Sequence, residues 1–193
     1  MNSRRLTIAE TLSDTNGDSR SVWIALGANL AHGSDDPVAT LRAVLPELQQ
    51  LSTAPLLVSS FFESDPKDCP PGSPRYVNAV VEISPAPDES PESLLVKLQQ
   101  LEQRFGRVRS GVVNEARTLD LDLLAFAAAI RSDPVLILPH PRAHQRRFVL
   151  QPWIEIAGPD YLLHGRSLAE WQSECADPPL QRLPYSGLDS SAT

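Results

Sequence analysis

The residues from Gly106 to Leu124, GRVRSGVVNEARTLDLDLL, contain a pattern able to hold a divalent cation against an anion. Asp120 and Asp122 are separated by one leucine. On a β-strand this spacing puts both carboxylates on one face, with Cα atoms roughly 6.6 Å apart. Two carboxylates so placed can converge on one or two small cations. Magnesium suits them, because it takes few protein carboxylates and completes its octahedron with water and phosphate oxygens. Arg107, Arg109 and Arg117 flank the pair, and guanidinium groups bind phosphate oxygens through paired N–H donors. Arginines beside a cation site meet the electrostatic demand of phosphoryl transfer: the metal neutralises the polyphosphate and the guanidiniums steady the transferred group. An isolated Asp-X-Asp is more often the polar side of an amphipathic strand, and isolated arginines are often solvated or ion-paired. Here the two features coincide, on a strand whose opposite side is Leu119, Leu121 and Leu123.

The rest of the chain has to position that strand. Ser21 to Leu26 reads as a buried strand ended by Gly27. Asp36-Pro37 opens a helix, with Asp as N-cap and Pro at the first helical position. Val38, Leu41, Leu45 and Leu48 share its apolar face, and Pro46 is expected to kink or shorten it. Leu56 to Phe62 is a second strand, followed by the proline-rich loop KDCPPGSPR. Tyr76 to Ile83 is a third. Ser90-Pro91 opens a second helix with a stripe of Leu94, Leu98, Leu101 and Phe105, closed by Gly106. Thr118 to Leu124 is the fourth strand, and one or two helices are expected between Ala143 and Ala157. The order strand, helix, strand, strand, helix, strand predicts an α+β, ferredoxin-like α/β sandwich: a βαββαβ core with an antiparallel four-stranded sheet, plus C-terminal helices. The two core helices would cover one sheet face, leaving the other for a site or for the C-terminal helices.

Composition limits the class. The chain has 193 residues, 41% hydrophobic and 21% charged, with a net charge of −7 and a pI near 5.0. That composition is globular, and the acidic balance disfavours nonspecific nucleic-acid binding. Cys69 and Cys175 are far apart and form no metal or disulfide pattern, so two free thiols in a reducing, cytoplasmic setting are expected. No apolar run is long enough to span a membrane, and the polar N-terminus has no signal-peptide core. A single domain is expected over residues 21–178, between polar tails at 1–20 and 179–193, with small-molecule substrates and a monomeric state.

Several stretches resemble the 6-hydroxymethyl-7,8-dihydropterin pyrophosphokinase (HPPK) family. Arg117 to Leu123, RTLDLDL, is similar to its signature. Ile24 to Leu30 (IALGANL), Ser59 to Pro66 (SSFFESDP), Tyr76 to Val81 (YVNAVV) and Leu138 to Glu155 (LPHPRAHQRRFVLQPWIE) resemble further motifs in the same order. The resemblance implies pyrophosphoryl transfer from ATP, as co-substrate, to a pterin hydroxymethyl group in folate biosynthesis, releasing AMP. It also implies that Asp120 and Asp122 bind two magnesium ions while Arg107 and Arg117 hold the phosphates. Gln99, Glu102, Leu123, Ile137, His140 and Arg146 would lie around the nucleotide. Ser64, Asp65, Lys67, Tyr76, Asn78 and Phe148 would form the pterin pocket. The residue chemistry agrees with this: Phe148 offers a flat aromatic face, and Asn78 a carboxamide that pairs donors and acceptors. Asn78 on an apolar strand is costly unless it is paired. His140 and His144 have the spacing of a helical zinc pair, but no HExxH pattern accompanies them, and a hydrogen bond to phosphate or ribose is expected instead.

The chain departs from the family where many members carry Trp-Gly-Pro. Asn114-Glu115-Ala116 stand there, and Ser110 occupies a usually basic position. The loop Ser110–Ala116 therefore has no aromatic lid at that point. Three other readings stay open at this level: a paralogue acting on a different pterin, a catalytically silent pterin- or nucleotide-binding module, and a nucleic-acid binder. The intact metal and arginine set weighs against the silent module. The acidic charge and the lack of exposed sheet aromatics weigh against nucleic acid.

Overall fold

The two innermost strands of the sheet, β1 (Val22–Ala28) and β4 (Tyr76–Ile83), are buried on both faces, as their near-continuous apolar sequences require. The computed structural model describes residues 20–108 and 115–184. In chain order the other elements are α1 (Pro37–Gln49), β2 (Leu57–Val58), β3 (Phe62–Ser64), α2 (Pro91–Arg104), β5 (Asp120–Phe126), β6 (Arg131–Ser132) and β7 (Ile137–Leu138). A single 3-10 turn at Ala143–Gln145 then leads to α3 (Arg147–Ala157), β8 (Leu162–Leu163), β9 (Arg166–Ser167), α4 (Leu168–Glu174) and β10 (Gln181–Arg182). The main sheet runs β10-β3-β4-β1-β5, with β2 also beside β4, and every pairing is antiparallel. Without the short β2 and β10, this is the second-third-first-fourth strand order of a ferredoxin-like βαββαβ sandwich.

The sheet separates two cores. On one side, Leu41, Val44 and Leu48 of α1 and Leu94, Leu98 and Leu101 of α2 pack on Ile24, Leu26, Ala79, Val81, Leu121 and Leu123. On the other, Val149, Leu150 and Trp153 of α3 and Leu168 of α4 pack on Trp23, Val80, Leu124 and Ala125. Trp23, Trp153 and Tyr161 bind this second core together, with ring centroids 5.3–5.8 Å apart. The helices begin where the sequence places them. The Asp36 carboxylate accepts the Ala39 N–H at 2.7 Å, and the Ser90 hydroxyl accepts the Ser93 N–H at 3.1 Å.

Local details differ from the expectations. β1 continues through Gly27 to Ala28 because both neighbouring strands pair with it there. Pro46 does not end α1, which runs to Gln49. Pro46 brings no N–H for the carbonyl four residues before it, at Arg42, a position exposed to solvent.

The expected second strand splits in two. Val58 pairs with Val81 and Phe62 with Asn78, so four steps on one strand face three on the other. This bulge is pinned by Ser59, whose hydroxyl accepts the Val80 N–H at 2.9 Å and whose own N–H donates to the Val80 carbonyl at 3.0 Å. The extra residue moves Phe62 and Ser64 onto the face that carries Asn78.

The region after Ala157 adds a hairpin and α4, which the sequence pattern did not separate. Gln181 and Arg182 pair with Glu63 and Phe62 at the sheet edge. Both cysteines are free thiols, and among the described residues no helix is long and apolar enough to cross a membrane.

Candidate active site

α3 covers only part of its sheet face. Past its N-terminal end, a cleft opens over the ends of β1, β3, β4 and β5. Strand register decides what it contains. Gly27 faces Asn78 on one side and Asp120 on the other, while Ala25 faces Asp122. Ser64 faces Tyr76. The cleft is lined by Gly27, Ser64, Asp65, Lys67, Cys69, Tyr76, Asn78, Arg117, Asp120, Asp122, Arg146 and Phe148, among others. The two aspartates therefore do share one face of β5, and the leucines between and beside them are buried in the core on the opposite face.

The charges in the cleft are unevenly paired. Both oxygens of Asp120 are engaged: Arg107 donates to Oδ1, and Arg117 Nη1 donates to Oδ2 at 2.9 Å. Arg107 also donates to Glu102, whose buried carboxylate accepts the Leu121 N–H at 2.8 Å. Glu102 thus fixes both an arginine and the strand that carries the aspartates. Arg117 is held further by its backbone N–H to Asn29 Oδ1 at 2.7 Å and its Nε to the Glu115 carbonyl at 2.9 Å. Burial alone would lower the Arg117 pKa, but Asp120, together with Tyr76 and Asp122, outweighs it and the value rises.

Asp122 has no hydrogen bond or ion pair among the described residues. Burial, and then the neighbouring Asp120 charge, push its carboxyl up to about 7. Arg146 opposes that shift from the cleft's far wall, and its own pKa is lowered, first by burial and then by Arg142. Among the described residues no group of three or more His, Cys, Asp and Glu gathers to form a metal cage. An under-compensated carboxylate next to a second one fits a hard divalent cation that takes its remaining ligands from water and phosphate.

The uncharged side of the cleft is equally specific. The Asn78 side chain is buried and donates to Ser64 Oγ at 3.0 Å and to the Phe62 carbonyl at 3.3 Å. Protein groups therefore meet its donor requirement, while its carboxamide oxygen lies beside Gly27. Tyr76 Oη lies 3.5 Å from the Glu115 carbonyl, and burial, its largest influence, pushes its pKa up to about 12. The Phe148 ring has the Arg146 guanidinium over it at 5.5 Å.

A family model described as 7,8-dihydro-6-hydroxymethylpterin-pyrophosphokinase (HPPK) matches residues 23–158. The chain belongs to the HPPK family. The 2-amino-4-hydroxy-6-hydroxymethyldihydropteridine pyrophosphokinase of Haemophilus influenzae is 39% identical over 164 residues, covering 84% of this chain and 98% of that protein. The enzyme of the same name from Pseudomonas aeruginosa is 37% identical over 165 residues, covering 84% and 96%. A crystal structure of Plasmodium falciparum HPPK-DHPS superposes with a TM-score of 0.60 at 12% identity, a likeness of fold. That match covers 83% of this chain and 46% of the Plasmodium chain, so this HPPK-family chain spans less than half of it.

The residues expected around the pterin, namely Ser64, Asp65, Lys67, Tyr76, Asn78 and Phe148, all line the cleft with Asp120, Asp122 and Arg117. Those expected around the nucleotide divide. Arg146 lines the cleft. Gln99 is exposed on α2, Leu123 is buried with its side chain in the helix-side core, and Ile137 is exposed on β7. The His140 N–H donates to the Leu124 carbonyl at 2.8 Å. Burial, then Arg146 and Arg142, lower its pKa to about 4, so it is neutral at physiological pH. Leu123 lies on β5, His140 bonds to it through the Leu124 carbonyl and Glu102 through the Leu121 N–H, on a strand that ends the main sheet.

His140 and His144 do not share a helix. His144 lies in the 3-10 turn and packs on Trp171 at 4.5 Å and His164 at 5.4 Å, so the helical zinc-pair geometry is absent. Arg109, Ser110 and Asn114 lie outside the described residues.

Three contributors escaped the sequence reading. Gly27 was read as a strand terminator. It lies inside β1, and a Cβ there would come within 3.8–4.0 Å of Asp120, Asn78 and Tyr76, at the floor of the cleft. A glycine inside a strand often marks close approach of a ligand, and that signal was available. Asn29 is buried and links Arg117 to the Pro74 carbonyl, through a 3.2 Å bond from its Nδ2. Cys69 lines the cleft near Tyr76.

The unpaired Asp122 gives a pH-dependent prediction. A carboxyl whose folded pKa is raised destabilises the native state as pH climbs from its unfolded value near 4 through about 7, and the penalty is complete above that. In EDTA, Asp122→Asn should therefore melt a few degrees above the wild type at pH 8, with the gap shrinking as pH is lowered toward 5. Equal melting temperatures at pH 8 would contradict an uncompensated charge there.

Proposed function

We propose that this cleft carries out the family reaction, transfer of the pyrophosphoryl group of ATP to the hydroxymethyl oxygen of 6-hydroxymethyl-7,8-dihydropterin, giving AMP and the pterin diphosphate for folate biosynthesis. The observation that carries this reading is the joint lining of one cleft by Asp120, Asp122, Arg117 and the polar-aromatic set Ser64, Asn78, Tyr76 and Phe148. Asp120 and Asp122 would hold the magnesium ions, two in number on this reading, which supply charge neutralisation along the triphosphate when bound. Arg107 and Arg117, both paired with Asp120, would turn their donors to phosphate oxygens once that carboxylate engages a cation.

The pterin ring would lie against Phe148, above Gly27, with its amide edge toward Asn78 and the backbone near Ser64. The hydroxymethyl group then points along the floor toward Asp120 and Asp122. Its oxygen attacks the β-phosphorus, the bond from that phosphorus to the α,β-bridging oxygen breaks, AMP leaves, and the hydroxyl proton passes to solvent. Among the described residues lining the cleft, the carboxylate best matched to take that proton, Asp122, is the one assigned to the metal. His140 is neutral but lies outside the lining, and Tyr76 holds its own proton more tightly than usual. Positioning and electrostatics are therefore the means of catalysis. We place the adenine along the outer edge of β5, near Gln99, Glu102, Leu123, Ile137 and His140.

AMP should form from magnesium-ATP only when the hydroxymethyl-dihydropterin is present, and Asp120→Ala should lower that rate at least a hundredfold. Comparable AMP release without the pterin, or near-normal turnover in the variant, would refute the assignment. Gly27→Leu introduces a side chain onto the cleft floor without a backbone clash. It should weaken pterin binding at least tenfold in calorimetry while leaving thermal unfolding close to the wild type. Unchanged affinity would place the pterin elsewhere.

A further inference from the structure

The pocket loop and α3 are both fastened by a residue far along the chain. Lys67, in the loop between β3 and β4, does not aim its ammonium at the cleft's aspartates. It donates to Asp177 Oδ1 at 2.6 Å and to the Gln145 carbonyl at 3.0 Å. The other carboxylate oxygen, Asp177 Oδ2, accepts the Arg147 N–H at 3.1 Å. Arg147 answers through its side chain, with Nε to the Asp177 carbonyl at 2.8 Å and Nη2 to the Cys175 carbonyl at 2.9 Å.

The bond to the Arg147 N–H matters because α3 has no cap of its own. Arg146, its N-cap residue, makes no side-chain capping bond, and the first turn carries no acidic residue. A carboxylate at a helix N-terminus satisfies an orphan donor and is favoured by the helix dipole. Asp177 supplies it from outside the helix, one residue before Phe148. The same carboxylate therefore holds two walls of the cleft, the Lys67 loop and the Phe148 turn.

Dense packing does not do this job. A cavity of about 190 Å³ separates the segment carrying Asp177 from the cleft, lined by Lys67, Phe148, Asp177, Pro178 and Leu180 among others. Ser64, Asp65, Lys67 and Phe148 border both spaces. Beyond Asp177 the chain is anchored again, where Gln181 and Arg182 pair with β3. Where apolar contact is interrupted, relative position depends on the polar links that remain.

We infer that Asp177 is a positioning residue for the pterin: its carboxylate latches the Lys67 loop to the start of α3 and so sets the width of the slot between Ser64 and Phe148. This rests on the pterin assignment above. The latch touches neither β5 nor α2, which carry Asp120, Asp122, Gln99 and Glu102; of the residues expected around the nucleotide, Arg146 adjoins it, as the residue before Arg147. Burial opposes ionisation of Asp177, but Lys67 and the Arg147 N–H outweigh it and hold its carboxyl below the usual range, so the latch is charged near neutrality.

The test is a double-mutant cycle of Asp177→Asn and Lys67→Met, read by calorimetry with 6-hydroxymethyl-7,8-dihydropterin in the presence of magnesium and α,β-methylene-ATP. Asparagine keeps an acceptor for the Arg147 N–H and the shape of the side chain, so the fold is retained. Each single variant should weaken pterin binding roughly tenfold, with nucleotide affinity within twofold of the wild type. The double variant should be no weaker than the worse single, as expected for partners in one interaction. In turnover, the KM for the pterin should rise while kcat at saturation changes little. Unchanged pterin affinity in Asp177→Asn, additive losses in the cycle, or an equal loss of nucleotide affinity would each overturn the inference. Absence of pterin binding by the wild type would instead overturn the proposed function, and the inference with it.

Discussion

Four charged groups meet at the start of β5, and their imbalance organises the site. Asp120 is clamped by Arg107 and Arg117, while Asp122 stands beside it without a partner among the described residues. The paired members are largely buried, with side-chain exposures of 13% for each arginine and 20% for Asp120. Breaking a buried pair by removing one partner costs about 3–5 kcal/mol, so these arginines can leave Asp120 only if equivalent charge arrives at both ends of the exchange. A cation bound to a polyphosphate brings both charges at once. In the proposed reaction the carboxylates would gain the metal and the guanidiniums would gain phosphate oxygens. A free nucleotide without metal, or metal without nucleotide, satisfies only half of the exchange. On the proposed function, this pairing would favour the metal–nucleotide complex over either part alone.

The sheet builds that arrangement through register. Asp120, Gly27 and Asn78 lie side by side across three strands, and Ser64 joins them only because the bulge at Ser59 shifts β3 by one residue. Without the bulge, Ser64 would point into the helix-side core. On the far half of the same face, Trp23, Val80 and Ala125 are covered by α3. The other half is open where α3 begins, and Arg146, the N-cap residue of that helix, and Phe148, on its first turn, line the cleft there. Glu102 performs a similar service from below. It is a buried carboxylate whose bonds to the Leu121 N–H and to Arg107 tie α2, β5 and the arginine that clamps Asp120 together.

Much of this was legible in the sequence because it is periodic. The leucines at alternate positions from Leu119 to Leu123 required the aspartates to share the other face, and Asp36-Pro37 and Ser90-Pro91 marked two helix starts that the structure keeps. What escaped depended on contacts between distant segments. The Ser59 bulge exists because a hydroxyl substitutes for a backbone partner on β4, which no local pattern encodes. Gly27 looked like punctuation; only its neighbours across β4 and β5 show that it is the floor of a cleft. The partners of two expected site residues were also hidden: the Glu102 carboxylate bonds Leu121 and Arg107, and Lys67, which lines the cleft, reaches with its ammonium to Asp177, more than a hundred residues away.

A crystal structure with magnesium and α,β-methylene-ATP would show whether Asp120 exchanges its partners. Metal ions should be seated on Asp120 and Asp122, with the Arg107 and Arg117 guanidiniums moved off Asp120 and onto phosphate oxygens. A bound nucleotide with both arginines still paired to Asp120 and its triphosphate away from Asp122 would contradict that exchange.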